Sequence, residues 1–166
     1  MIMNYNIKTP AFFRWIQNAK IVASCFTVVL ALLMIRLIIG GTFVVIGSEH
    51  VELKELLTWG KMFNLSGIAL IDTFILMPLY NTLTAQTAFY QFKKWTNANT
   101  PIIILLSALI CSYIRCSTLL SFTLCFVSNA FLAYIYFIKA DANRKPFAII
   151  SISYFITVAL FYLASR

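Results

Sequence analysis

Charge is what this sequence has least of. Of its 166 residues only 11% are charged, five are acidic and one is histidine, while 61% are hydrophobic. A soluble domain carries roughly 25% charged and 45–50% apolar residues. A water-soluble globule of this composition would lack the polar atoms to cover its surface, and no polar block is long enough for a second domain. His50 alone supplies neither a paired haem ligation nor a histidine-rich metal site, and reads as a solvated loop residue. No glycine-rich nucleotide loop, HExxH sequence or Ser–His–Asp set is present. The acids are Glu49, Glu52, Glu55, Asp72 and Asp141, with no catalytic pair among them. We therefore expect no enzyme, no metal and no cofactor.

Cysteine is also scarce. Cys25, Cys111, Cys116 and Cys125 lie in or beside apolar runs without zinc-site spacing, and read as small buried hydrophobes. The alternative is a Cys111–Cys116 bridge at an outer turn. The first 20 residues have no continuous apolar core ahead of a small-residue cleavage site, so the first span is expected to be an uncleaved anchor.

What the chain does have is length of apolar run, with mean hydropathy +0.88, and a net charge of +8. The basic residues sit in short clusters at the ends of apolar runs, which is the positive-inside pattern. No basic face with interleaved aromatics appears, and nucleic-acid binding is not expected.

Five spans are expected in an all-α membrane bundle, at about 21–46, 63–92, 101–114, 117–138 and 147–164. Before them, residues 1–20 carry Lys8, Arg14 and Lys20. Thr9-Pro10 opens a helix there, with Phe12, Phe13, Ile16 and Ala19 opposite Arg14, Gln17 and Asn18. This reads as an interfacial amphipathic helix on anionic lipid, the alternative being a docking helix for a cytoplasmic partner. In the first span, Gly40-Gly41 offers either a close-packing surface or a local bend.

The connection Gly47 to Lys61 holds Glu49, Glu52 and Glu55 and has little basic excess, so it is placed outside as a contact loop. Span two carries Asp72 and then Pro78, where a helix loses a hydrogen bond. Beyond Pro78 come Asn81, Thr82, Thr84, Gln86 and Thr87, polar groups that must face other helices or a wet cavity. Pro78, Asn81, Thr84 and Gln86 are the expected partner or cavity face.

Residues 102–138 are too long for one crossing at 1.5 Å per residue. A tight outer turn is expected at Arg115 to Thr118; the alternative is a hairpin that fails to cross twice, which inverts the last span. Ser117, Ser121, Cys125 and Ser128 form a helix-packing stripe. Lys139, Arg144 and Lys145 return the chain inside and Pro146 starts the last helix. The tally puts the N-terminus in the cytoplasm.

Arg36 and Asp72 lie at similar depth in antiparallel neighbours. An unpaired charge there costs at least ~2.5–3.5 kcal/mol, so an intramembrane Arg36–Asp72 pair is expected. Its structural reading is register between spans one and two; the alternative, a proton relay through Asp72, lacks other titratable partners in the spans.

With the polar stretch Thr9-Pro10-Ala11-Phe12-Phe13-Arg14-Trp15-Ile16 leading into Ile21, the layout resembles the inner-membrane exclusion proteins of F-type conjugative plasmids. The pore-forming-colicin immunity proteins are a second family of similar size. The resemblance implies contact with a membrane protein partner, an incoming transfer protein or a toxin, besides the lipid bilayer. The rival expectation is a membrane subunit or small transporter using the polar segment between Pro78 and Thr87.

Overall fold

The computed structural model describes residues 11–46, 79, 82–96, 98–115 and 119–164. All regular structure among these residues is helical. In chain order come α1 (Ala11–Asn18), α2 (Ile21–Ile46), a π-helical segment (Thr82–Ala88), α3 (Phe89–Thr96), α4 (Thr100–Arg115), α5 (Leu119–Asp141) and α6 (Pro146–Ala164).

Two of these, α2 and α5, are long and apolar enough to cross a membrane. At 1.5 Å per residue α2 reaches about 39 Å and α5 about 35 Å, against a hydrocarbon core of about 30 Å. By the same rule α4 reaches only about 24 Å, shorter than that core. It ends at Arg115 and α5 begins at Leu119, which brackets the expected turn. Helix α2 runs through Gly40-Gly41 to Ile46 without interruption. Gly40 is buried, whereas a methyl group added at Gly41 would meet nothing within 4 Å. Close packing therefore does not involve Gly41 among the described residues.

Alternate helices run in opposite directions. Cys25 near the start of α2 donates from Sγ to Ile149 O near the start of α6, at 3.7 Å. The end of α3 meets the end of α5 where Lys93 pairs with Asp141 at 3.5 Å. The first residues of α2, α4 and α6 and the last residues of α3 and α5 thus gather at one end. Helix α5 is the hub, packing on α2, α4, α6 and the π-helical segment, with its largest contact against α4.

The link from α5 to α6 is a Schellman turn. Arg144 N donates to Lys139 O at 2.9 Å and Asn143 N to Ala140 O at 3.0 Å. That geometry needs a left-handed residue, and Asn143 takes φ 56°, a conformation asparagine tolerates better than most side chains. Pro146, unable to donate to a preceding turn, opens α6.

The bundle is apolar on its outer faces as well as in its core, where Val28, Leu32, Ile135 and Ile150 are buried. Val22, Phe26, Leu30, Met34 and Ile38 form an exposed stripe along α2, each residue four from the last. Ile102, Leu105, Leu109 and Tyr113 do the same on α4, and Ile152, Phe155, Ile156 and Leu160 on α6. Meanwhile Ser24, Thr82, Gln86, Ser107, Ser112, Ser153 and Thr157 are buried. Contiguous apolar faces of this extent are rare on soluble monomers, and small hydroxyl residues between helices are the membrane pattern.

Candidate functional site

Most buried hydroxyls in this bundle are satisfied locally. Ser107 bonds to Ile104 O at 2.8 Å, Ser112 to Ala108 O at 2.7 Å, Ser153 to Ile149 O at 2.6 Å and Thr157 to Ser153 O at 2.8 Å. Each donates back to the preceding turn of its own helix, so it needs nothing from its neighbours.

The π-helical segment behaves otherwise. Its seven residues Thr82–Ala88 read TLTAQTA, in which the three β-branched threonines are the poor helix formers. Thr87 Oγ1 donates to Thr82 O at 2.9 Å, five residues back, along the π spacing. From this segment hydrogen bonds run outward to other helices. Ser151 Oγ on α6 donates to Thr82 Oγ1 at 3.2 Å, and Thr87 Oγ1 lies 2.9 Å from Tyr136 OH on α5. One turn further, Tyr90 OH donates to Asp141 Oδ1 at 2.8 Å, while Lys93 Nζ reaches Asp141 Oδ2 at 3.5 Å. The Tyr90 ring meets those of Tyr136 and Phe137 edge-on, with centroids 5.9 Å and 5.3 Å apart.

At the centre is Gln86. Its side chain is fully buried, and neither Oε1 nor Nε2 has a hydrogen-bond partner. A buried amide without a partner costs roughly 1–3 kcal/mol by protein mutational data and more in hydrocarbon. A π-helical turn is itself rare and tends to mark functional positions. Two unfavourable features therefore coincide in seven residues.

On its outer side the same stretch is open. Leu83 is 54% exposed and Phe92 44%, and Ala88, Phe89, Gln91, Phe92 and Trp95 line an apolar surface hollow of about 400 Å³. The stretch thus joins an open apolar surface to a polar, imperfectly satisfied interior. It can hold a neighbouring helix by shape and accept or donate hydrogen bonds within the bundle. Among the described residues no group of histidine, cysteine and carboxylate side chains could hold a metal ion.

Of the residues singled out from the sequence, Gln86 lies at this site. Thr84 has its backbone in the π-helical segment, its side chain lying outside the described residues, as do Pro78 and Asn81. Asp72, Glu49, Glu52, Glu55, Cys116 and Ser117 are likewise outside them, and with them the Arg36–Asp72 pair. Arg36 itself is half-buried on α2 and within electrostatic range of Cys125 on α5 and Tyr154 on α6. Ser121 and Cys125 are half-buried on α5, and Asn129, beside their stripe, is buried.

Sequence reasoning missed Tyr136, Ser151 and Tyr90, the cross-helix partners of this segment. It also placed Lys139 in an inner connection. Lys139 is instead in the last turn of α5 and fully buried, its Nζ donating to Ala19 O at 3.0 Å and Gln17 O at 3.4 Å. An ammonium on the carbonyl end of α1 satisfies acceptors that have no intrahelical donor. The apolar residues around Lys139 disguised it as the end of a span.

No family model, curated protein or solved structure matches this chain.

Proposed function

We propose that this is a multi-pass membrane protein that acts by contact with another membrane protein, through the π-helical segment and α3. One observation carries the reading. Within residues 82–95 a π-helical backbone, an unpartnered buried Gln86 and an open apolar hollow coincide. Evolution retains such locally unfavourable features where they serve binding or switching. The exposed apolar stripes of α2, α4 and α6 support membrane embedding, because lipid or a partner helix is the only solvent in which they are at low free energy.

The partner class is what the resemblance in layout implies. A small bacterial inner-membrane protein with a cytoplasmic N-terminus fits exclusion of incoming conjugation machinery or immunity to a pore-forming toxin. The acidic loop at Glu49, Glu52 and Glu55 would share the contact from the outer side. The buried Gln86 supports a second reading, a subunit or small transporter in which this amide meets a polar group of a partner or solute.

The test is a mating and toxin-challenge panel in cells producing the full chain. Transfer of one plasmid type, or killing by one toxin, should fall by tenfold or more, and Phe92→Arg in the hollow should abolish the effect at normal membrane abundance. Unchanged transfer and killing across the panel, with the protein present in the membrane, contradict the contact reading.

A further inference from the structure

One end of the bundle carries nearly all the described cationic charge. Arg14 and Lys20 flank the end of α1, Lys94 is in the last turn of α3, and Arg144 and Lys145 form the α5–α6 turn; all five are exposed. Asp141, the carboxylate described at this end, is occupied by Tyr90 and Lys93. Lys20, Arg144 and Lys145 add exposed positive charge at the same end.

This end is also built rather than loose. Lys139 holds the carbonyl end of α1, and Ile16 on the inner side of α1 is completely buried. With α1 fixed, Arg14, Trp15, Asn18 and Ala19 line a surface hollow of about 330 Å³. Trp15 is 54% exposed and Trp95, beside Lys94, is 82% exposed. Exposed tryptophans level with exposed cations mark the headgroup layer of a membrane protein. Basic pockets between helices at that level bind anionic headgroups.

We infer that the α1 hollow and the α5–α6 turn together form a binding site for the headgroup of an anionic phospholipid. Arg144 and Lys145 supply the charge, the amide of Asn18 a donor, and Trp15 the amphipathic wall against the acyl-chain boundary. The site differs from a free amphipathic helix lying on lipid, because Lys139 fixes its geometry before lipid arrives. It rests on the membrane placement proposed above but not on the identity of the partner.

The test uses the full chain carrying Trp59→Phe, reconstituted in phosphatidylcholine vesicles. Brominated phosphatidylglycerol or brominated phosphatidylcholine is added at equal mole fraction, and quenching of Trp15 and Trp95 is read. Selective binding predicts about twofold or greater excess quenching by the anionic lipid. The triple variant K94Q/R144Q/K145Q should lose that excess while keeping its helical circular dichroism and its quenching by brominated phosphatidylcholine. Equal quenching in the parent protein overturns the site, as does an excess that survives the triple variant or is erased by millimolar inorganic phosphate. Absence of quenching by either lipid overturns the membrane placement as well, so the two failures are distinguishable.

Discussion

The buried hydroxyls of α6 and those of the π-helical segment handle the same problem in opposite ways. Both lie in a bundle whose outer faces are apolar. On α6, the buried Ser153 and Thr157 bond to their own helix at Ile149 O and Ser153 O, while the half-buried Ser151 reaches across to Thr82. In the π-helical segment, Thr82 and Thr87 bond to Ser151 and Tyr136 on other helices, and Gln86 bonds to nothing. A hydroxyl bonded to its own helix fixes no register with its neighbours, whereas one bonded across helices does. The difference teaches where this fold is specified and where it is merely filled.

The largest effect should come from the clamp that ties α1 to the bundle. Hydrogen bonds from a charged donor contribute about 1.5–3 kcal/mol, so Lys139→Met should cost about that much stability and release α1. Trypsin cleavage after Arg14 in reconstituted protein should then accelerate at least tenfold; an unchanged rate would remove the clamp from the account.

Next is Gln86→Leu. Replacing the unpartnered amide with an apolar group of similar size should stabilise the bundle by about 1–3 kcal/mol, measured as resistance to denaturant in mixed micelles. The same variant should lose the partner effect. Stability gained with the effect intact would make Gln86 a plain packing defect and sharpen the contrast with α6 into one of stability alone.

Smaller again are the cross-helix bonds. Tyr136→Phe removes one partner of Thr87 and should cost about 0.6 kcal/mol, the average found for such bonds in a bilayer, and at most about 1.7 kcal/mol. Smallest is Ser153→Ala on α6, expected within about 0.5 kcal/mol of the parent, because its bond stays inside one helix. If Ser153→Ala cost as much as Tyr136→Phe, the comparison between the two regions would collapse.

Much of the helical layout was legible in the sequence because its signals are local. The span at 21–46 coincides with α2, Pro146 starts α6, and the turn expected between Arg115 and Thr118 falls in the gap between α4 and α5. The burial of Gln86 inside the bundle was legible too, as that of an amide that hydrocarbon would not tolerate. What was not legible depends on contacts between residues far apart in the chain. The Thr87–Tyr136 and Tyr90–Asp141 bonds join residues 49 and 51 positions apart. Nothing local distinguishes Tyr136 from the other aromatics of α5. The π-helical backbone also escaped notice, since a polar segment after Pro78 signals a bend without saying how its hydrogen bonds are rearranged. Lys139 was misplaced because a buried lysine is rare unless its head finds partners, and its partners are carbonyls 120 and 122 residues away.

The central claim of the proposed function is that the apolar outer faces of α2, α4 and α6 meet lipid while Gln86 is buried within. In a background lacking the native cysteines, a nitroxide placed at Phe26, Leu109 or Phe155 reports collision with oxygen and with a water-soluble nickel chelate. The account predicts strong oxygen and weak nickel collision at all three positions, against strong nickel collision at Lys94. Nickel reaching Phe26, Leu109 and Phe155 as readily as Lys94 would contradict it.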